Sequence, residues 1–267
     1  MKRAIQSLVQ KLLLRRGGLV VIPEWRADRW EMARHVAAVV ALLKIDCVLD
    51  VGANAGQYYD FLRSEVGYHG RVVSFEPIPA LVQALRARNR DRAWTICDYA
   101  LGAEPAVRPF NVMTKSEFSS FLEPDHSHVD DFTTANRIRD RIEVTVRRLD
   151  AALADLGVSA QRIFLKLDTQ GYDLEVLNGI GDDLKRIAAI AIETSVRPIY
   201  HGMPDYLTAL GVLDDLGFDL SGMFPVTRDA SQRLVEIDCV SLNRALLPAT
   251  VPAHGDHPGA VSTTAQH

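Results

Sequence analysis

The stretch from Cys47 to Gln57 constrains the fold more than any other part of the chain. An apolar run with β-branched residues leads into Gly52 and Gly56, and a helix-compatible segment, residues 58–64, follows. This pattern predicts a strand, a tight loop and a helix. Glycine has no Cβ, so both glycines allow a sharp turn and the close approach of a ligand. The stretch is typical of the first unit of a nucleotide-type α/β fold.

Polar residues in this loop discriminate between ligands. The dinucleotide fingerprint G-x-G-x-x-G holds a pyrophosphate at a helix N-terminus. Asn54 and Gln57 stand where its second and third glycines would be, and Asp50 at the strand end would repel phosphate. A ligand with an amine suits the loop better. S-adenosylmethionine, with an ammonium, a ribose diol, an adenine and a sulfonium, fits this polarity.

Acids also end the next two apolar runs. Glu76 follows the second run, where an acid commonly binds ribose hydroxyls, so we expect it to hold the ribose rather than to be merely solvated. Asp98 and Tyr99 lie near the end of a predicted third strand, Trp94 to Ala100, and are expected beside the adenine. The predicted cofactor-binding residues are Asp50, Gly52, Asn54, Gly56, Glu76, Pro77, Asp98 and Tyr99.

Two further acids follow predicted strands in the second half of the chain. Asp168 ends the run 163–167, and Glu193 ends the run 187–192. Ligands of open parallel sheets bind outside the carboxyl ends of the strands. Two later strands, at 218–223 and 235–242, form a plausible antiparallel hairpin. The sequence therefore predicts a doubly wound, mostly parallel α/β sheet with an antiparallel edge hairpin.

Composition excludes several other classes of protein. The 267 residues are 48% hydrophobic and 24% charged, which is ordinary for a globular protein. A net charge of −4 provides no overall basic field, so nucleic acid is not an expected partner. The spacing of the three cysteines fits neither a disulfide framework nor a zinc site, which indicates a reducing, cytoplasmic location. No run approaches the roughly 20 apolar residues of a membrane span.

The two ends of the chain differ from its middle. Residues 2–16 place apolar side chains at helical spacing among lysines and arginines, which predicts a basic amphipathic helix. Such a helix either docks on its own domain or lies on an anionic inner membrane surface, and both readings stay open. The predicted division is a helical N-terminal segment at 1–44, a catalytic domain at 45–245 and a disordered tail at 246–267.

Short segments between about residues 45 and 244 carry a family resemblance when taken in order. They are Val48–Gly56, Phe75–Pro77, Tyr99–Gly102, Phe118–Leu122, Leu165–Asp173, Ile192–Glu193 and Glu236–Asp238. In this order they resemble the FkbM family of S-adenosylmethionine-dependent methyltransferases. The resemblance implies a Rossmann-like class I methyltransferase fold, S-adenosylmethionine as cofactor, and O-methylation of a hydroxyl. The implied acceptor is a sugar of a glycolipid, polysaccharide or glycosylated natural product.

A hydroxyl acceptor needs a base to take its proton. Asp168, Glu193 and His201 are the candidates by placement, although an ion pair with Lys166 or a helix cap would also explain Asp168. The family often has Glu where this chain has Gln170, which weakens the case for a metal. A Mg²⁺ ion between Asp168 and Glu193 is conceivable, but no metal site is predicted. Two alternatives stay open, an NAD-dependent oxidoreductase and a catalytically idle scaffold.

Overall fold

The computed structural model describes residues 27–127 and 132–249. The predicted amphipathic helix at 2–16, and the predicted tail from residue 250 onward, lie outside the described residues. The division into three segments therefore stays a prediction. In the described part of the chain, no helix has the length and apolar character needed to cross a bilayer.

The described residues form ten strands and six α-helices. The strands are β1 (Cys47–Val51), β2 (Arg71–Phe75), β3 (Trp94–Cys97), β4 (Ala100–Leu101), β5 (Ala106–Met113), β6 (Ile138–Arg147), β7 (Ile163–Leu167), β8 (Ile187–Ser195), β9 (Phe218–Arg228) and β10 (Leu234–Asn243). The helices are α1 (Ala27–Leu43), α2 (Gln57–Phe61), α3 (Pro79–Arg88), α4 (Leu149–Asp155), α5 (Asp173–Asn178) and α6 (Tyr206–Asp215). A π-helical turn at Leu62–Val66 extends α2, and short 3₁₀ helices lie at Ser116–Phe118, Gly181–Arg186 and Arg244–Leu246.

Seven strands form the main sheet, in the order β3-β2-β1-β7-β8-β10-β9. The five strands from β3 to β8 pair in parallel, and β10 runs antiparallel to both β8 and β9. Parallel neighbours need crossover connections, which the helices provide. The predicted doubly wound sheet with an antiparallel edge hairpin is confirmed.

A second, three-stranded sheet corrects the prediction of one long third strand. The predicted strand Trp94–Ala100 breaks at Cys97, whose carbonyl accepts from the Glu76 N–H at 3.0 Å as the pairing with β2 ends. The chain then turns, and Ala100 pairs with Val146 of β6 in the small sheet, whose order is β4-β6-β5. Asp98 and Tyr99 therefore lie in a turn between two sheets.

Alternating side chains of the central strands supply two separate cores. On β1, Leu49 and Val51 pack into one layer with α4 and α6, while Val48 packs into the other with α1. Asp50 faces the same side as Val48, because side chains two apart on a strand share a face. Each large apolar side chain buried in these layers stabilises the fold by about 1.5–3 kcal/mol. On the central parallel strands, the buried charged residues Asp50 and Lys166 lie toward the carboxyl edge.

The strand register aligns those polar residues in rows. Asp50 lies opposite Ser74 on β2 and opposite Lys166 on β7. Further along the edge, Glu193 on β8 lies directly opposite Asp238 on β10. Side chains opposite each other in an antiparallel pair lie close together. The sheet itself therefore brings acids distant in sequence into one group.

Gly52 and Gly56 serve the packing of the protein more directly than the approach of a ligand. Gly52 has a φ of +80°, and a Cβ there would lie 1.9 Å from the carbonyl oxygen of Asp168. A Cβ at Gly56, with a φ of +85°, would lie 2.0 Å from a guanidinium nitrogen of Arg88. Neighbouring protein groups therefore occupy most of the space that the absence of a Cβ leaves at these two glycines.

Substituting Gly52 tests this close approach. We expect Gly52→Ala to lower the free energy of unfolding by about 3 kcal/mol or more, because strained backbone and a backbone clash add together. Gly67→Ala is the matched control, since its φ of +76° is similar and no atom of the described residues lies within 4 Å of its Cβ position. It should cost about 1 kcal/mol. Equal losses in urea denaturation would contradict the packing role of Gly52.

Candidate functional site

A cleft of about 740 Å³ opens at the carboxyl edge of β1, β2 and β7. The loop after β1 forms its floor, and the small sheet forms its far wall. Its polar lining comes from residues such as Asn54, Glu76, Ser116, Asp168 and Gln170. Its apolar lining includes Phe75, Ile78, Leu101, Phe110 and Phe121. Polar groups therefore meet an apolar wall within one cavity.

Glu76 organises the first loop of this cleft. Its Oε2 accepts from the backbone N–H of Asn54 at 2.7 Å, and its Oε1 accepts from the N–H of Ile78 at 2.8 Å. Asn54 has a left-handed φ of +47°, and its amide contacts Ser116 Oγ at 3.1 Å. Burial raises the pKa of Glu76 to about 7, although both N–H donors lower it. The carboxyl group is thus fixed at the cleft wall.

Asp50 lies behind the cleft and does not line it. Its side chain is fully buried, and its Oδ2 accepts from Ser74 Oγ at 3.0 Å. The Nζ of Lys166 is 3.6 Å from its Oδ1. Burial raises the pKa of Asp50, while Lys166 opposes that shift. The cation that the structure places beside Asp50 is therefore a lysine of the protein, whereas the sequence predicted the amine of a cofactor.

Asp98 and Tyr99 lie outside the cleft, contrary to their predicted position beside an adenine. The Asp98 side chain is 58% exposed and pairs with Arg86 at 3.2 Å. Tyr99 stacks at a tilt on Phe75 and lies under the guanidinium of Arg147. The reason is the early end of β3, which turns both residues away from the carboxyl edge. Of the other predicted residues, Gly52, Asn54, Glu76 and Pro77 line the cleft, and Gly56 does not.

The predicted catalytic residues separate into two groups. Asp168 accepts from Lys166 Nζ at 3.0 Å and from Gln170 Nε2 at 3.0 Å, and the same amide nitrogen donates to Glu193 Oε1 at 2.9 Å. His201 is 67% exposed and lies 3.4 Å from Asp125. The structure therefore brings Asp168 and Glu193 together and leaves His201 on the surface, lining neither of the two large clefts.

A second, larger cleft of about 1070 Å³ adjoins the first. Gln57, Tyr58, Lys166 and Asp168 line both cavities. Beyond this junction the second cleft is lined by Glu193 and Asp238 and by apolar residues of α1, α2 and β9. The sequence reasoning assigned no role to Tyr58, Lys166 or Asp238 at a site.

Buried acids next to the second cleft hold their protons more tightly than usual. Burial, with the charge of Asp168, raises the pKa of Glu193 well above its usual range. Burial also raises the pKa of Glu236 and that of Asp238 to about 7. Glu236 and Asp238 could have been identified from the sequence, because they are two acids at alternate positions within the apolar run of β10.

The described residues contain no cluster of three or more histidines, cysteines, aspartates or glutamates arranged to hold a metal ion. Between Asp168 and Glu193, where Mg²⁺ was conceivable, the amide of Gln170 donates to both carboxyl groups. Tyr200 in turn donates to the amide oxygen of Gln170 at 3.1 Å. A neutral donor therefore joins the two acids.

The family model described as the methyltransferase FkbM domain matches residues 50–220. The chain belongs to the FkbM methyltransferase family. The match confirms the resemblance carried by the short segments, and it includes Asn54, Glu76, Asp168 and Glu193. The main sheet, parallel with an antiparallel edge hairpin, is the class I methyltransferase fold.

Three solved structures of low sequence identity are among those to which this chain is similar. A methyltransferase FkbM from Methylobacillus flagellatus KT is 18% identical, with a TM-score of 0.45, over 73% of this chain and 43% of that one. Fibrillarin from Aeropyrum pernix with natively bound S-adenosyl-L-methionine is 11% identical, with a TM-score of 0.42, over 80% and 76%. A precorrin-6y C5,15-methyltransferase from Geobacter metallireducens GS-15 is 12% identical, with a TM-score of 0.42, over 79% and 87%. This chain thus spans less than half of the Methylobacillus protein, and a comparison with curated proteins found no match.

Replacing the bridging amide by a carboxyl group tests the arrangement of acids. We expect Gln170→Glu to lower the free energy of unfolding by about 3 kcal/mol at pH 8, because a third carboxylate then faces Asp168 and Glu193. The pKa of a carboxyl group in this position is raised in the folded state. The loss is therefore small near pH 4 and grows as the pH rises.

Urea denaturation at several pH values measures this dependence. Gln161→Glu is the matched control, because Gln161 is exposed. The control should change stability by less than about 0.5 kcal/mol at each pH. If both variants lost stability equally, or if the loss at Gln170 were independent of pH, the bridging role of the amide would be refuted.

Proposed function

We propose that this chain is an S-adenosylmethionine-dependent O-methyltransferase. In this proposal the acceptor is a hydroxyl group on a sugar of a glycolipid, polysaccharide or glycosylated natural product. The observation that carries the proposal is the first cleft, in which the buried Glu76 carboxyl and Asp168 converge in a chain of the FkbM family. The sugar acceptor is supported by the family resemblance. The contact of residues 2–16 with a membrane surface stays a prediction.

The residues of the first cleft suit the cofactor by their chemistry. Glu76 has lone pairs beyond its two backbone bonds, so it can accept from ribose hydroxyls. The apolar wall of Ile78, Leu101 and Phe110 suits the face of an adenine ring. Asp168, at the junction of the two clefts, provides negative charge for a sulfonium. When bound, the cofactor would supply an electrophilic methyl group.

The chain's own residues would position the reactants and exclude water, which favours an in-line transfer. Lys166 neutralises part of the charge of Asp168, and Gln170 fixes the orientation of that carboxylate. A hydroxyl acceptor must also lose a proton, and Asp238 beside the second cleft, whose pKa burial raises to about 7, suits a proton acceptor near neutral pH.

The loop disfavours a nicotinamide dinucleotide. In dinucleotide sites, backbone N–H groups of the first loop bind the pyrophosphate. Here the N–H of Asn54 already donates to Glu76. A phosphate placed there would face Glu76 and Asp168 across a cavity of low dielectric, where repulsion is strong.

Calorimetry with purified protein tests the cofactor assignment. We expect S-adenosylmethionine to bind and NADH not to bind. Glu76→Ala should weaken binding at least about tenfold, or about 1.4 kcal/mol, because the ribose loses its acceptor and the loop loses its anchor. Asp98→Ala is the matched control and should change the affinity less than about twofold, since Asp98 is exposed and outside the cleft. Binding of NADH in place of S-adenosylmethionine would refute the proposal.

Labelling identifies the acceptor. The protein is incubated with methyl-labelled S-adenosylmethionine and with lipid and glycan extracts, and the labelled products are analysed by mass spectrometry. We expect the label in a methyl ether of a sugar. Label found only on nitrogen or carbon would exclude O-methylation, and a protein that binds the cofactor but labels nothing would support the idle scaffold.

A further inference from the structure

The second cleft continues directly from the cofactor cleft. The two cavities share Gln57, Tyr58, Lys166 and Asp168. A group that reacts with a cofactor held in the first cleft must reach this junction, and the second cleft leads to it. Its volume of about 1070 Å³ exceeds that of the first. The second cleft therefore has the position and size for an acceptor molecule.

A buried, unpartnered hydroxyl points to a ligand at the junction. Tyr58 is only 9% exposed and lines both clefts, yet its hydroxyl has no hydrogen-bond partner among the residues that the structure describes. A buried hydroxyl without a partner costs about 1–3 kcal/mol. A ligand oxygen that accepts from Tyr58 removes this cost.

The side chain of Asp238 differs from those of the other acids around the cleft in having no hydrogen bond or ion pair among the described residues. Asp168 is engaged with Lys166 and Gln170, and Glu193 accepts from Gln170. Asp238 lies opposite Glu193 across the β8–β10 pair and lines the second cleft. Its carboxyl group is therefore the one available to a bound molecule.

Most of the remaining lining of the second cleft is apolar. Met32 of α1, Phe61 of α2 and Phe224, Pro225 and Val226 of β9 line the cleft opposite the acids. An acceptor with a hydroxyl-bearing part and an apolar part matches both walls. A phosphate or carboxylate on the acceptor would face three acids. Arg29 also lines the cleft, and its guanidinium is already paired with Glu65 at 2.8 Å.

We propose that the second cleft receives an uncharged, hydroxyl-bearing acceptor with an apolar part, and that Asp238 takes the proton of the reacting hydroxyl. The proposal rests on the function proposed above. As the hydroxyl oxygen bonds to the methyl carbon, the carbon–sulfur bond breaks and its electron pair stays on sulfur. The hydroxyl proton passes to the Asp238 carboxylate and from there to solvent. The products are a methyl ether and S-adenosylhomocysteine.

The charged groups around Asp238 set its protonation. Lys166 lies on β7 and Asp168 directly after it, Glu193 lies on β8, Glu236 on β10 itself, Tyr58 on α2 and Arg29 on α1. Burial and Asp168 raise the pKa of Asp238 to about 7, and Lys166 opposes the shift. The base is the deprotonated form, so the reaction should accelerate as the pH rises through 7.

Methionine-methyl NMR tests the cleft with two probes, octyl β-glucoside and octyl sulfate, both below their micelle concentrations. We expect the glucoside to shift the Met32 methyl signal saturably. The signals of Met113, which is fully buried, and of Met223, which is 46% exposed, should not move. Octyl sulfate should bind at least about tenfold more weakly. Parallel shifts of Met32 and Met223, no shift of Met32, or equal binding of the sulfate would overturn the acceptor class.

Aspartate ¹³C NMR tests the base without any ligand. We expect a side-chain carboxyl signal that titrates near pH 7 and is missing in Asp238→Asn. The variant should be at least as stable as the natural protein at pH 8. The pKa of Asp238 is raised on folding, so its ionisation destabilises the fold as the pH rises. A spectrum in which the signal persists in the variant would overturn the assignment.

Label transfer to the lipid extract completes the test. The rate should rise through pH 7, fall at least about 100-fold in Asp238→Asn, and keep its pH dependence in Asp238→Glu. Asp140→Asn, at an exposed site on β6, is the control and should behave like the natural protein. An Asp238→Asn variant with normal cofactor affinity and an unchanged pH profile overturns this inference alone. Failure of the natural protein to bind S-adenosylmethionine overturns the proposed function instead.

Discussion

The site depends on the ion pairs that the buried ammonium of Lys166 forms with Asp50 and Asp168. This ammonium lies 3.6 Å from Asp50 and 3.0 Å from Asp168, and so it joins β1 to the end of β7. Although burial opposes it, the charges of Asp168 and Asp50 raise the pKa of Lys166. Without this cation, two carboxylates would face each other in a medium where an unpaired buried charge costs about 3–5 kcal/mol. Lys166 also forms the floor where the two clefts meet.

Around this cation the protein distributes its acids in two ways. On the side of the first cleft, Glu76 is held by backbone N–H groups and keeps a fixed orientation. On the side of the second cleft, Glu193 and Asp238 lie opposite each other on antiparallel strands, where burial favours their protonated forms. Between these two sides, the amide nitrogen of Gln170 donates hydrogen bonds to both Asp168 and Glu193. One sheet edge thus carries a carboxyl group held rigidly by the backbone and, on the other side of Gln170, two acids with raised pKa values.

Sequence reasoning located the first loop and the acids Glu76, Asp168 and Glu193 because each directly follows an apolar strand. It predicted Asp98 and Tyr99 beside an adenine, whereas neither lines the first cleft, since the point where β3 ends depends on pairing with β2 and not on local composition. It could not assign Asp238 to the site, because Asp238 lies at the carboxyl edge only because β10 runs antiparallel to β8. His201 was placed by its neighbours in sequence, and tertiary packing leaves it on the surface.

The sequence by itself determined the class of fold and part of the first cleft, because hydrophobic periodicity and glycine spacing act locally along the chain. Tertiary structure alone decided that Asp50 pairs with a lysine, that Gly52 packs against the carbonyl of Asp168, and that Glu193 lies opposite Asp238. Each of these contacts joins strands distant in sequence. Their register is set by the packing of both sheet faces, and that information is not contained in any single segment.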